Sequence, residues 1–234
     1  MGVRSGLLWL VMVSLALAVS CSPGPTPTLD PRVNAQEILR QAVERLLALE
    51  SAEFTLEHQV GTTELLPGIE MSKVYGVADI PDKFSFTVEA EVSNTLFETG
   101  VVVIGDQAYM TNFLNGQWQE VPKDILPLNF SNLGQTLAGV IESVQGAELV
   151  GSERWHDYDA YRIRGLVKSN DLSTLVPNAG DGFDLELELL VDHNQGLLLQ
   201  VLIAGQIIDA DVSETVRVLT LDAIDSAVEI NTPR

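Results

Sequence analysis

The chain has 234 residues with 13 basic and 33 acidic side chains, which gives a formal net charge of −20 at pH 7. A chain this acidic lacks the basic surface that phosphate backbones require, so nucleic acid is excluded as a partner. Hydrophobic residues make up 46% of the sequence, too many for a disordered acidic chain. The acidity alone does not indicate a ligand, because a high net charge also keeps a protein soluble.

The first 20 residues have the pattern of a secretory signal peptide. Arg4 is their only charged residue, an apolar segment follows over residues 7–19, and small residues precede Cys21. That segment is about 13 residues long, shorter than the roughly 20 that a membrane-spanning helix needs. The sequence therefore predicts a signal peptide over residues 1–20 that ends in a lipobox, with alanine where leucine is usual three positions before the cysteine.

Cys21 is the only cysteine in the chain, so no intramolecular disulfide can form. A single cysteine directly after a signal peptide is a typical acceptor of a diacylglyceryl group, and two acyl chains of the palmitate type anchor a protein more stably than one. A buried, inert thiol is the alternative interpretation. We expect an extracytoplasmic protein that Cys21 anchors to the cell membrane.

A short spacer is predicted between this anchor and a single folded domain. Residues 21–29 include three prolines and a glycine, which favours an extended linker, and the domain is expected over residues 30–234. Asp30 followed by Pro31 is typical of a helix start. Apolar residues then recur at helical spacing as far as Glu50, which predicts one amphipathic helix.

Most of the domain alternates apolar and polar residues, which is the pattern of half-buried antiparallel strands. The clearest segments are residues 51–60, 84–92 and 183–191, each with one apolar and one largely acidic face. Hairpin turns are predicted at residues 105–106 and 115–116. Further strands are predicted over residues 70–79, 96–104, 108–111, 117–121, 147–155, 161–168, 197–208 and 215–224.

Two segments interrupt the strands. Residues 131–144 predict a second amphipathic helix, which Gly134 and Gly139 would weaken, and residues 169–176 predict a short third helix that Pro177 ends. The order indicates an α+β fold with one large antiparallel sheet and helices on one face. Three modest helices are little cover for such a sheet. Its apolar face is therefore either filled by ordinary core packing or left partly open as a ligand cavity.

Several short segments occur in the order in which one family of lipoproteins carries them. They are the lipobox Cys21, Ser51-Ala52-Glu53-Phe54, Gly105-Asp106-Gln107-Ala108-Tyr109, Gly116-Gln117-Trp118 and Tyr161-Arg162-Ile163-Arg164-Gly165. From about residue 37 to 233 the sequence resembles the LppX/LprA/LprF/LprG lipoproteins. The resemblance implies a LolA/LolB-like half-barrel, in which helices pack on the concave side of a large curved antiparallel β-sheet around a hydrophobic cavity.

The resemblance also implies a function. Members of this family bind acylated lipids or glycolipids and help to move them between the cytoplasmic membrane and the outer envelope, and an envelope transporter is a candidate partner. Burial of an acyl chain gains about 0.8 kcal/mol per methylene against water and almost nothing against a bilayer, so such a cavity exchanges lipid with a membrane. The alternative hypothesis is an envelope sensor or assembly scaffold with a filled core and no lipid ligand.

Candidate cavity residues follow from the apolar faces of three strands and of the second helix, which is expected to form part of a lid. The strand candidates are Phe54, Leu56, Phe84, Phe86, Val88, Leu185, Leu187 and Leu189. The helix candidates are Leu133, Leu137, Val140 and Ile141. Phe113 and Leu114 belong either to a cavity mouth or to ordinary loop packing.

The sequence gives little support for a catalytic or metal-binding function. The histidines His58, His156 and His193 are scattered without the spacing of metal ligands, and no phosphate-binding or nucleophile motif is present. His58 lies on an apolar strand face, where a hydrogen-bonded core histidine is expected. A hydrolase would need a serine, a histidine and a carboxylate within hydrogen-bond reach. We therefore expect a monomeric protein that is not an enzyme and needs neither metal nor cofactor.

Overall fold

The computed structural model describes residues 33–112, 115–126, 128, 130, 132–176, 179–180 and 182–234. The predicted signal peptide, Cys21 and the linker lie outside the described residues, as do Phe113, Leu114 and Pro177. Across the described ranges no helix is both long and apolar enough to cross a membrane.

One antiparallel sheet contains all twelve strands of the described chain. Its order is β7-β6-β5-β4-β3-β1-β12-β11-β10-β9-β8, and β2 pairs with β3. The sheet does not close, so β7 and β8 form its edges, and β8 pairs with β9 through two register irregularities. The strands are β1 Ser51–Val60, β2 Thr63–Leu66, β3 Ile69–Asp79, β4 Lys83–Val92, β5 Thr95–Ile104, β6 Gln107–Thr111, β7 Trp118–Val121, β8 Gln145–Trp155, β9 Tyr158–Lys168, β10 Asp184–Asp192, β11 Leu198–Ala204 and β12 Val216–Asp222.

Both helices bury their apolar sides in the same core as the sheet, which confirms the predicted fold class. Helix α1 spans Ala35–Leu47 and α2 spans Leu133–Glu142. The backbone of α2 lies close to α1 and to a 3₁₀ turn at Ser169–Leu172. Helix α2 contacts the strands through its side chains, because several α2 side chains line a cavity together with residues of the strands.

The helix boundaries differ from the sequence prediction. Asn34 is the N-cap of α1, because its Oδ1 accepts a hydrogen bond of 2.9 Å from the Gln36 backbone N–H, so this helix begins at Ala35. Asp30 and Pro31, where the sequence predicts the start, lie outside the described residues. The predicted third helix is wrong. Only a 3₁₀ turn forms there, because the buried Ser169 hydroxyl accepts the Phe183 N–H at 3.1 Å and so ties this segment to the approach to β10.

Strand β2 is not predicted from the sequence, and β11 is shorter than the predicted strand over residues 197–208. Leu65 and Leu66, for which the sequence predicts no strand, belong to β2, and the turn after them has Gly68 at φ +77°. Strand β11 ends at Ala204 because Gly205 follows with φ +125°, a backbone conformation that other residues rarely adopt. The chain then loops over residues 205–215 before it enters β12.

Candidate functional site: an apolar cavity between the sheet and helix α2

A small cavity of about 60 Å³ lies between the inner face of the sheet and α2. Its wall is apolar except for Thr63 and Arg217. The apolar members are Leu56, Leu65, Met71, Leu128, Phe130, Leu133, Leu137, Val140, Ile141, Leu172, Leu175, Val176, Leu189, Leu198, Val201, Ile203, Ile207 and Leu219.

The floor of this cavity belongs to a row of apolar residues that crosses seven strands. Leu56 pairs with Leu219, Leu219 with Val201, and Val201 with Leu189. The row continues outward at both ends through side chains that share its face. The complete row is Val88, Val74, Leu56, Leu219, Val201, Leu189 and Ile163.

The cavity is too small for an acyl chain in this conformation. An apolar cavity of about 150 Å³ is known to accept benzene, which is more than twice the volume present here. The protein's own side chains therefore cover most of the apolar face of the sheet. Ordinary core packing, which is the alternative to an open ligand cavity, accounts for most of the interior.

The twelve predicted cavity residues divide into two groups of equal size. Those on the wall are Leu56, Leu133, Leu137, Val140, Ile141 and Leu189. The others are buried away from it and are Phe54, Phe84, Phe86, Val88, Leu185 and Leu187.

Phe130 explains why the three predicted phenylalanines do not reach the cavity. Its ring lies 4.3 Å from that of Phe54, 5.1 Å from that of Phe86 and 6.2 Å from that of Phe84, measured between centroids. It enters from the irregular connection between β7 and α2, where no periodic pattern marks a core residue. The aromatic cluster therefore fills the interior next to the cavity, and of its four rings Phe130 is the one that lines the cavity.

Arg217 was also missed, and it is the most unusual member of the wall. It lies in β12 on the same face as Leu219, opposite His58 of β1 and Ile203 of β11, and only 1% of its surface is exposed. Side chains alternate between the two faces of β12, and this alternation places residue 217 on the inner face with Leu219. Burial of an arginine there was not expected, because a buried charge needs partners that the local sequence does not reveal.

The partners of Arg217 come from two separate segments, strand β2 and the loop over residues 205–215. Its Nε–H donates to Thr63 Oγ1 at 2.8 Å, one terminal N–H donates to the Gly205 carbonyl at 3.3 Å, and the other terminal nitrogen donates to Asp211 Oδ2 at 2.5 Å. Asp211 Oδ2 also accepts the backbone N–H groups of Ile207 and Ile208. Burial lowers the pKa of Arg217, and the Asp211 carboxylate opposes that shift.

His58 extends this polar chain and has only one consistent tautomer. Its Nδ1 lies 2.8 Å from the Ser72 carbonyl oxygen, so Nδ1 must carry the proton, and Nε2 then accepts the Thr63 hydroxyl at 2.8 Å. Burial lowers the pKa of His58, and the positive charge of Arg217 acts in the same direction. His58 is thus a hydrogen-bonded histidine of the inner face, as the sequence predicted.

The family model described as LppX_LprAFG lipoprotein matches residues 34–230 of the chain. The chain belongs to this family. LprF from Mycobacterium bovis is similar in structure, with a TM-score of 0.67 and 16% identity over 85% of this chain and 96% of that one. LppX from Mycobacterium tuberculosis has a TM-score of 0.58 and 13% identity over 85% of this chain and all of that one. No curated protein sequence matches.

A serine and a histidine are within hydrogen-bond distance of each other in this LppX/LprAFG family member. Ser152 Oγ lies 2.9 Å from His193 Nε2, and the imidazole stacks on Tyr161 at 3.7 Å. Within the described ranges no carboxylate is bonded to His193, so the arrangement that a hydrolase would need is not assembled there. The same ranges hold no group of three or more acidic, histidine or cysteine side chains placed to bind a metal.

Proposed function

We propose that this LppX/LprAFG family member binds the acyl chains of an acylated lipid or glycolipid between its sheet and α2. The observation that supports the proposal is the row of apolar residues across seven strands, faced by the apolar side of α2. Hydrocarbon gains about 0.8 kcal/mol per methylene when such a surface shields it from water. Anchored through Cys21, the protein would carry the lipid between the cytoplasmic membrane and the outer envelope.

Binding requires α2 to move away from the sheet, because the cavity of about 60 Å³ is too small. The geometry permits this movement. The close backbone neighbours of α2 are α1 and the Ser169–Leu172 turn, whereas its contacts with the cavity floor are made by apolar side chains. An entering acyl chain would replace those contacts with others of the same kind, so their loss is largely compensated.

Transport in this proposal needs no chemistry at the site. A bilayer solvates acyl chains as well as the cavity does, so a lipid can pass from one to the other without a catalytic residue or a cofactor. We propose a monomer that works next to a membrane, where an envelope transporter could supply or receive the lipid.

An envelope sensor or assembly scaffold is the second candidate, and the small size of the cavity favours it. Such a protein would keep its core closed and use its surface to bind a protein partner. The two candidates differ in whether the folded domain takes up a lipid.

The deciding experiment uses the chain with Cys21→Ser, which removes the predicted acylation site. Native mass spectrometry should detect a co-purified acylated lipid, and a fluorescent acyl probe should bind saturably. Absence of both would contradict the proposal and leave the scaffold as the better explanation.

A matched pair of variants locates the uptake. Val201 lies on the cavity floor, whereas Leu202 is the next residue of β11 and faces the other side of the sheet. Val201→Phe should fill the cavity and reduce probe binding at least tenfold, while Leu202→Phe should leave it unchanged. Equal effects of the two substitutions would place the probe elsewhere.

A further inference from the structure

Arg217, which lines the apolar cavity, has more N–H bonds than it has acceptors among the described residues. A guanidinium has five N–H bonds, and three of those in Arg217 are directed at Thr63, Gly205 and Asp211. Among the described residues, two N–H bonds on its terminal nitrogens are therefore left without an acceptor, and the side chain lines the cavity. A guest molecule that offers an acceptor there would satisfy a buried donor.

Thr63, the other polar member of the wall, has no donor to spare. Its hydroxyl proton is directed at His58 Nε2, because His58 must keep its own proton on Nδ1 for the Ser72 carbonyl. The Thr63 oxygen meanwhile accepts the Arg217 Nε–H. Hydrogen bonding to a guest through the described part of this wall therefore falls to Arg217.

The charge around Arg217 determines which acceptor suits it. Asp211, whose side chain is only 1% exposed, already forms a buried ion pair with the guanidinium. A carboxylate or phosphate at the same place would be a second anion that shares one cation inside a protein of net charge −20. A neutral carbonyl oxygen accepts the same hydrogen bonds without that repulsion.

We propose that Arg217 recognises the carbonyl oxygen of an acyl ester, so that the cavity selects esterified acyl chains over free fatty acids. This inference rests on the proposed function and specifies its ligand class. An ester carbonyl stands where the hydrocarbon chain ends. The methylenes would extend from Arg217 along Leu219 and its row, with the headgroup on the side of β2 and residues 205–215.

A partly polar hollow of about 340 Å³ lies on that same side, next to Asp211. About half of its lining is polar, in contrast to the almost wholly apolar cavity wall, and the lining includes Thr62, Glu64 and Glu70. Hydroxyl groups of a neutral headgroup would find acceptors in these carboxylates, whereas a phosphate would meet repulsion there. Both sides of Asp211 therefore favour a neutral guest.

The test compares three ligands with sixteen-carbon chains or their equivalent: hexadecane, methyl palmitate and palmitate. Each competes with a fluorescent alkyl probe on the Cys21→Ser protein at pH 8. Methyl palmitate should bind about five- to tenfold more tightly than hexadecane, the gain that one neutral hydrogen bond gives. Palmitate should bind more weakly than its methyl ester.

Two variants assign this preference to the ion pair. Arg217→Met combined with Asp211→Asn removes both charges together and keeps an oxygen for the Ile207 and Ile208 N–H groups, and it should bind methyl palmitate no better than hexadecane. Asp211→Asn alone leaves the guanidinium without its counterion and should shift the preference toward palmitate. Thermal unfolding would establish that each variant is folded.

The outcomes separate this inference from the function on which it rests. Hexadecane binding without any preference for the ester, or an ester preference that survives in the double variant, would overturn the role of Arg217 and leave acyl-chain binding intact. If the unsubstituted site binds none of the three ligands, both proposals fail.

Discussion

A Cβ atom built on Gly134 of α2 would lie 2.2 Å from the carbonyl oxygen of Leu46 in α1. The two helices therefore touch backbone to backbone at a point that only glycine permits. The glycine that weakened the sequence prediction of α2 is thus the residue that allows α2 to pack against α1.

Gly134→Ala should lower the free energy of unfolding by about 1–3 kcal/mol, because the added methyl group forces the helices apart. Gly139 lies in the same helix and has nothing within 4 Å of its Cβ position, so it provides a matched control. Gly139→Ala should stabilise the protein by up to about 1 kcal/mol through helix propensity. Urea unfolding measures both changes, and equal effects would refute the close contact.

Replacement of one member of the buried ion pair should cost more than replacement of both. Arg217→Met leaves the Asp211 carboxylate buried without its cation and should destabilise the domain by about 3–5 kcal/mol. The double variant Arg217→Met with Asp211→Asn should recover a substantial part of that loss. Chemical denaturation of the two single variants and the double variant provides the test, and additive effects would show that the pair does not act as a unit.

Acid should weaken the fold through His58. Burial holds its pKa below the ordinary value of 6.5, so the unfolded chain takes up a proton at a higher pH than the folded protein does. Stability is therefore fully present above about pH 6.5 and falls as the pH drops through that value toward the folded-state pKa. Protonation would also place a second positive charge near Arg217 and remove the acceptor for Thr63.

Melting temperatures measured between pH 8 and pH 5 would test this expectation. His58→Asn should lose a large part of the pH dependence over this range. Exposed His156 is the control, and His156→Asn should keep the full dependence. A parent protein that melts at the same temperature across the whole range would contradict the role given to His58.

Phe130 should contribute strongly to stability, because it joins the connection before α2 to the aromatic cluster of the sheet. Phe130→Ala should cost about 3–5 kcal/mol, as large-to-small substitutions in cores do. Ile125, which is 56% exposed in the same connection, serves for comparison, and Ile125→Ala should have little effect. Differential scanning calorimetry of both variants would decide whether the ring has this anchoring role.

Cys21 should determine where the protein resides. Expression of the full chain in its native type of envelope should place it in the membrane fraction with a mass that includes acyl chains, whereas Cys21→Ser should release it. Detergent phase partition and intact-mass measurement report the two results. A Cys21→Ser protein that stays with the membrane would show that another segment holds it there.

Much of the sheet could be predicted because alternation reports burial directly. The row through Leu56 and Leu189 follows from strands whose apolar residues recur at every second position. The course of the chain around Phe130 and β2 could not be predicted, since short irregular segments carry no period. The hydrogen bond between Arg217 and Thr63 could not be predicted either, because the two residues are 154 positions apart and come together only in the folded chain.

The open edge of the sheet bears on whether copies of the protein associate with one another. Among the described strands, β8 has a partner on one side only over Gln145–Trp155, and an edge strand of this kind can accept a strand from a second copy. Its two register irregularities and its charged residues interrupt the flat hydrogen-bonding surface that such self-association needs. If Cys21 anchors the protein as proposed, neighbouring copies on the membrane would therefore meet without joining edge to edge into fibres.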